Sequence, residues 1–171
     1  MRVLTGVNLF DVDCQAVCIT TNGFVKMDGL AVMGRGCAMQ LANLFPHSPR
    51  LLGAAIKRNG NITQPLFMAN DTVVLAFPVK PDYVINSGSN LVSHAQHMYK
   101  IGQKVPGFHA KSDIELIKQS AIQLKAWADE TKHTDIVLPR AGCGAGELNW
   151  VLDVYPVLNE ILDDRFTAVS Y

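Results

Sequence analysis

Two glycine-rich stretches hold the residues of this chain best suited to chemistry. The first is Thr21-Asn22-Gly23, followed by Gly29-Leu30-Ala31-Val32-Met33-Gly34-Arg35-Gly36 and then Cys37-Ala38. The second is Pro139-Arg140-Ala141-Gly142-Cys143-Gly144-Ala145-Gly146-Glu147. Glycine permits positive φ and close backbone approach to a ligand, and free amides at a helix start attract phosphate oxygens. Each stretch follows an apolar run and leads into a helical pattern, the place where open α/β sheets bind their ligands. One such loop commonly just turns the chain; two point to a ligand with more than one phosphate. Taken alone, Asn22 reads as a turn residue before Gly23. Arg35 is either a phosphate contact or a solvated residue of the first helical turn.

Competing nucleotide sites fail on particular residues. A phosphate loop ending in Gly-Lys-Ser/Thr is absent, and the dinucleotide pattern that starts at Gly34-Arg35-Gly36 meets Met39 where its third glycine belongs. His94 and His97 stand three apart, yet no third ligand follows at a recognisable spacing, so they read as exposed histidines. The four cysteines (Cys14, Cys18, Cys37 and Cys143) lack zinc-type pairing, and reduced thiols in a cytoplasmic protein are expected.

Fifteen basic and fifteen acidic residues balance, which argues against strong nonspecific binding to long nucleic acids. A small anionic ligand stays open, because backbone amides can supply the positive potential. With 49% hydrophobic residues over 171 positions, one globular domain with a real core is expected. No apolar run reaches membrane-spanning length, and the chain opens on a short strand rather than a signal peptide.

The elements that must position the loops alternate in type. Residues 16–20, 72–79, 135–139 and 166–170 read as buried strands. A helix is expected over 34–45, stopped by Pro46, and another from Ser48-Pro49 to a left-handed cap at Gly60. Ser112 and Glu115 have capping-box spacing before a helix with the stripe Ile114, Ile117, Ala121, Leu124 and Ala128. A later helical segment breaks or restarts at Pro156. This alternation implies a mainly parallel or mixed sheet covered on both faces. Residues 81–111 show no period and read as a long inserted loop, either a lid or a tolerated surface insertion. Within it Tyr83, Tyr99 and Phe108 are aromatic, suited to local packing or to stacking on a ligand.

The two loops together resemble those of the macrodomain family. The resemblance rests on Thr21-Asn22-Gly23 with Val32-Met33-Gly34-Arg35-Gly36-Cys37-Ala38, and on Leu138 to Trp150, joined by Phe77-Pro78-Val79-Lys80 and Asp113-Ile114-Glu115-Leu116-Ile117. The chain looks most like the branch that contains DNA ADP-ribosyl glycohydrolase antitoxins, the terminal ADP-ribose protein glycohydrolase, and small phage or bacterial relatives. That branch implies a three-layer α/β/α sandwich around a mixed sheet, residues 1–171 forming a single macrodomain and a monomer.

It also implies ADP-ribose, free or on a macromolecule, as the partner, with no cofactor and no metal. Asn22, with Gly23 beside it, would hold the distal ribose. The amides of Met33 to Ala38 and of Gly142 to Gly146 would wrap the diphosphate and distal ribose, the second set lying in a ligand loop from Pro139 to Glu147. Asn8, with Leu9, stands where an acidic residue usually meets the adenine amino group. Lys80 occupies the place of the lysine that acts at the ribose anomeric carbon in the glycohydrolases. Gly146 stands where some relatives have an aspartate, with Glu147 adjacent. Three activities follow from the resemblance: hydrolysis of an ADP-ribosyl linkage, binding without turnover, or removal of phosphate from ADP-ribose 1″-phosphate.

Overall fold

The chain's apolar runs become a sheet with side chains alternating into two separate cores. The computed structural model describes residues 1–171. Strands β1 (Arg2–Thr5), β2 (Ala16–Asn22), β3 (Gln64–Ala69), β4 (Thr72–Lys80), β7 (Ile136–Pro139) and β8 (Phe166–Ser170) form one six-stranded sheet in the order β1-β8-β7-β2-β4-β3. Every neighbouring pair is parallel except β3 with β4, so the sheet is mixed. Side chains of a strand point alternately to the two faces. Ala16, Cys18, Leu75, Phe77, Ile136 and Leu138 therefore enter one core. Val17, Ile19, Val74, Ala76 and Val137 enter the other.

Helices α3 (Ile114–Thr131) and α4 (Tyr155–Ile161) cover the first face, and α1 (Gly36–Leu44) and α2 (Ser48–Asn59) the second. The result is the expected α/β/α sandwich. The α3 stripe of Ile117, Ala121, Leu124 and Ala128 is wholly buried. Each fully buried leucine or isoleucine in it stabilises the fold by about 1.5–3 kcal/mol. On the other face α2 lies directly against the first loop. Ala31 N donates to Pro49 O at 2.9 Å. A Cβ on Gly53 would strike Gly29 O, so only glycine allows this approach.

Several expectations change in detail. The first helix starts at Gly36, not 34, and ends at Leu44. Ser48 lies within α2, its hydroxyl donating to Phe45 O at 2.6 Å, and His47 is the capping residue. Gly60 follows with φ 92° and ψ 179°, a glycine conformation but not the left-handed helical one. Ser112 does not cap α3. Asp113 does, its Oδ1 accepting from Glu115 N at 2.9 Å and Leu116 N at 3.4 Å. One residue of shift suffices because an aspartate is as good a cap as a serine. Pro156 falls in the first turn of α4, after a wide π-type turn at Trp150–Val154, so the chain restarts there.

The segment 81–111 is built rather than loose. Strands β5 (Tyr83–Ile85) and β6 (Lys104–Pro106) pair antiparallel as a separate ribbon, and 3-10 turns cover Ser93–Met98 and Gly107–His109. Leu91, Val92, Ala95, Val105 and Ala110 are buried within it. Glu147 ties it to the second loop, accepting from Ser93 N at 2.7 Å and Ser93 Oγ at 2.6 Å.

Candidate functional site

The carboxyl ends of β2, β4 and β7 stop beside one another, and the loops that leave them enclose a cavity of about 340 Å³. Both glycine stretches contribute to its wall. Asn22, Met33, Gly34, Arg35, Gly36, Cys37 and Ala38 line it from the first; Pro139, Arg140, Gly142, Gly144, Ala145 and Gly146 line it from the second. Lys80 enters from the end of β4.

The remaining residues singled out in the sequence lie outside this lining. Gly23 packs near Asn61 and the backbone of Asp82, Ala141 is fully buried in the core, and Cys143 is half-buried. Glu147 faces outward and is engaged by Ser93. Asn8 Oδ1 accepts from Phe10 N at 2.9 Å, capping a short turn, while Leu9 packs into the core of the α1/α2 face.

The segment 81–111 forms the other wall of the cavity, supplying His94, Phe108 and His109. Thr20, Thr21, Val32, Val79 and Ser112 complete the lining. Of these, the sequence offers Phe108 only as local packing or a stacking ring and His94 only as half of a metal pair, and it assigns no site role to His109, Thr20 or Ser112. No three His, Cys, Asp or Glu side chains gather in a metal-binding arrangement.

Lys80 is the best-buried charge in the chain, 8% exposed. Its Nζ donates to Phe108 O at 3.3 Å and to Ala145 O at 3.2 Å, bridging the segment 81–111 and the second loop. Burial pulls its pKa down to about 8; the Glu147 carboxylate opposes the fall and Arg35 adds to it. Asn22 braces the first loop, Nδ2 donating to Val32 O at 3.0 Å and Oδ1 accepting from Phe24 N at 3.0 Å. One N–H and one lone pair of that amide remain for a ligand. Cys37 Sγ lies 3.2 Å from Thr20 Oγ1, and burial pushes its thiol up, so it is a neutral packing group.

The electrostatics are one-sided. Arg35, Lys80, Arg140, His94 and His109 line the cavity, and no aspartate or glutamate does. Thr21 Oγ1, Ser112 Oγ and Arg140 Nε are buried without a protein partner. An unpaired buried polar atom costs about 1–3 kcal/mol, and all three belong to residues of the cavity wall. The Arg140 guanidinium also sits 5.4 Å from the Trp150 ring, which fixes its direction.

Gly146 explains why no acid enters from the second loop. A Cβ there would overlap Ser112 Oγ, 2.7 Å from Ser112 Cβ and 2.5 Å from Gly142 O. Ser112, displaced from the capping role, fills the space beneath this loop. At Gly144, by contrast, a Cβ would meet nothing within 4 Å.

No family profile and no curated protein sequence matches the chain. Solved structures do. The macrodomain of Mycobacterium tuberculosis DarG superposes with a TM-score of 0.67 at 19% identity, covering 99% of this chain and 98% of that one. The macrodomain of Thermus aquaticus DarG gives 0.69 at 21% identity, over 99% and 97%. Thermosipho africanus DarTG, solved in complex with ADP-ribose, gives 0.67 at 18% identity; 98% of this chain matches 41% of that longer one. At such identities the likeness is one of fold, and the fold of this chain is that of a macrodomain. No helix is long and apolar enough to cross a membrane.

Proposed function

We propose that this macrodomain-fold protein binds ADP-ribose, or an ADP-ribosyl group on a macromolecule, in the cavity and hydrolyses the bond at the distal ribose's anomeric carbon. Lys80 is the group that acts there. The observation that carries the reading is the state of that amine, buried, lowered to about 8, and held by two carbonyls at the junction of the three strand ends. A neutral amine has two hydrogens and one lone pair. With the hydrogens given to Phe108 O and Ala145 O, the lone pair is left to meet an electrophilic carbon. The backbone amides at the start of α1, together with Arg35 and Arg140, suit a diphosphate. The Thermosipho africanus protein of the same fold was solved with ADP-ribose, which supports the choice of ligand.

A reader that binds without turnover is the second reading, favoured by the lack of any carboxylate in the lining. Calorimetric titration with ADP-ribose, followed by turnover of ADP-ribosylated DNA and protein, separates the two. The wild type should bind in the micromolar range. Gly144→Glu should lose at least a hundredfold in affinity, because its carboxylate enters open space in the cavity without disturbing the fold. Lys80→Ala should bind within about fivefold of wild type and lose turnover by about 100-fold or more. Binding with no turnover by the wild type would make it a reader. No binding by a folded wild type would overturn the proposal.

A further inference from the structure

Hydrolysis at an anomeric carbon needs a group that moves a proton, and sugar hydrolases usually employ carboxylates for it. This cavity has none. Position 146 has no room for a side chain above Ser112, and both oxygens of Glu147 are engaged by Ser93. The groups left for the task are two imidazoles from the segment 81–111, His94 and His109, whose rings stand edge to face 5.9 Å apart.

We propose that His109 is the proton-transfer residue of this site, positioned by Tyr99, an assignment that rests on the hydrolytic reading above. Its Nδ1 lies 2.7 Å from Tyr99 Oη, while Nε2 has no protein partner and the residue lines the cavity. The carbonyl just before it in the chain, Phe108 O, accepts from Lys80 Nζ, so the ring is rooted one residue from the amine. The pair can be made by either ring tautomer, and the proton-transfer role requires the one in which Nδ1–H donates to Tyr99 Oη and Nε2 carries the free lone pair. The charged and titratable groups facing the ring are His94, Lys80 and Arg35, besides Tyr99 itself. Burial and those three neighbours hold its pKa below the ordinary histidine range, which keeps the lone pair available at neutral pH.

The step then balances. Lys80 Nζ forms its bond to the anomeric carbon as the bond that carbon held breaks with its electron pair going to the departing atom. Nε2 takes the proton that Nζ then sheds and passes it to that atom. A water oxygen next forms its bond to the anomeric carbon as one of its protons passes to Nε2. The Nζ bond breaks with its electron pair going to Nζ, and Nε2 returns the proton there. Nothing is oxidised or reduced. Tyr99 touches only the imidazole and is a positioning residue.

The test compares wild type, His109→Gln and Tyr99→Phe in ADP-ribose titrations and in kcat against pH on ADP-ribosylated DNA and protein. His109→Gln should lower kcat by about 100-fold or more, the usual worth of such a group, while the Kd for ADP-ribose stays within threefold. It should also lose the imidazole's own step in the acidic limb and keep the step that Lys80 gives. Tyr99→Phe should keep that limb and lose about tenfold in kcat. Turnover by the wild type with an equally active His109→Gln overturns the assignment and spares the hydrolytic reading. Parallel loss of binding and kcat in His109→Gln reduces the residue to a wall of the cavity and also overturns it. A wild type that binds but never turns over takes both readings down together.

Discussion

Replacing Gly146 with alanine should do far more harm than one methyl group suggests. The backbone itself offers no objection, since Gly146 is not among the residues with positive φ. The obstacle is space. The new Cβ would overlap Ser112 Oγ and lie 2.7 Å from Ser112 Cβ and 2.5 Å from Gly142 O. Relief to ordinary contact near 3.4 Å takes shifts of roughly 1 Å, both within the second loop against Gly142 O and between that loop and Ser112. Overpacking of this kind costs about 1–3 kcal/mol, or about 2–12 °C of Tm for a domain of this length. The same displacement shifts the loop that is proposed to hold the ligand, and roughly 1 Å of misplacement is worth about a hundredfold. Thermal unfolding and ADP-ribose calorimetry would read the two effects separately. Ser112→Gly in the same chain removes two of the three contacts and leaves Gly142 O, so it should restore about half the loss. The coupling between the two sites should then be about 0.5–3 kcal/mol. A Gly146→Ala protein with wild-type Tm and wild-type affinity would refute the reasoning.

Two other outcomes follow from the charges. If neutral Lys80 is the acting form, kcat/KM should rise with pH through a midpoint near 8, since deprotonation supplies the lone pair. About a tenth of the amine is neutral at pH 7 and about half at pH 8; a kcat/KM that is flat between pH 6.5 and 9 would count against it. Glu147→Gln removes the charge that receives both Ser93 donors, and the discount for solvent exposure leaves about 0.5–1 kcal/mol. Amide exchange over residues 86–98 should accordingly quicken by about two- to fivefold, with little change in Tm; unchanged exchange would show that the segment is held elsewhere.

The parts legible in the sequence were those governed by local repetition. Strands β2, β4, β7 and β8 are continuous apolar runs because both faces of each are covered, and the α3 stripe is spaced at helical intervals for its single buried face. The edge strand β3 escaped notice. It begins at Gln64-Pro65, pairs only with β4 and leaves Met68 exposed; its apolar run, Leu66 to Ala69, is short and follows directly on a proline, which removes a ladder donor. β5 and β6, three residues each, are too short to display any period.

The site divides in the same way. Its two glycine loops were visible because phosphate-type cradles are made from consecutive residues. The histidine wall was not, because His94 and His109 reach the cavity through the path of a long segment that no short-range rule describes. The one available hint was the concentration of histidine and aromatic residues within that aperiodic stretch. Ser112 departs from its sequence pattern for a different reason. Its spacing from Glu115 fits a capping box, but Asp113 takes the cap and frees the serine to lie under the second loop.

The one-sided lining of the cavity has a consequence for measurement. Burial and neighbouring positive charge hold the Lys80 amine and the His109 imidazole below their ordinary pKa ranges, and an arriving diphosphate reverses that by favouring their charged forms. Complex formation would therefore draw protons from the medium, and its apparent heat would change with the ionisation enthalpy of the buffer. Affinity would strengthen as the solution is acidified, whereas the amine and the imidazole lose the lone pairs that turnover requires. The tightest complex and the fastest reaction would then lie at opposite ends of the pH scale, with the working pH a compromise between retention and release.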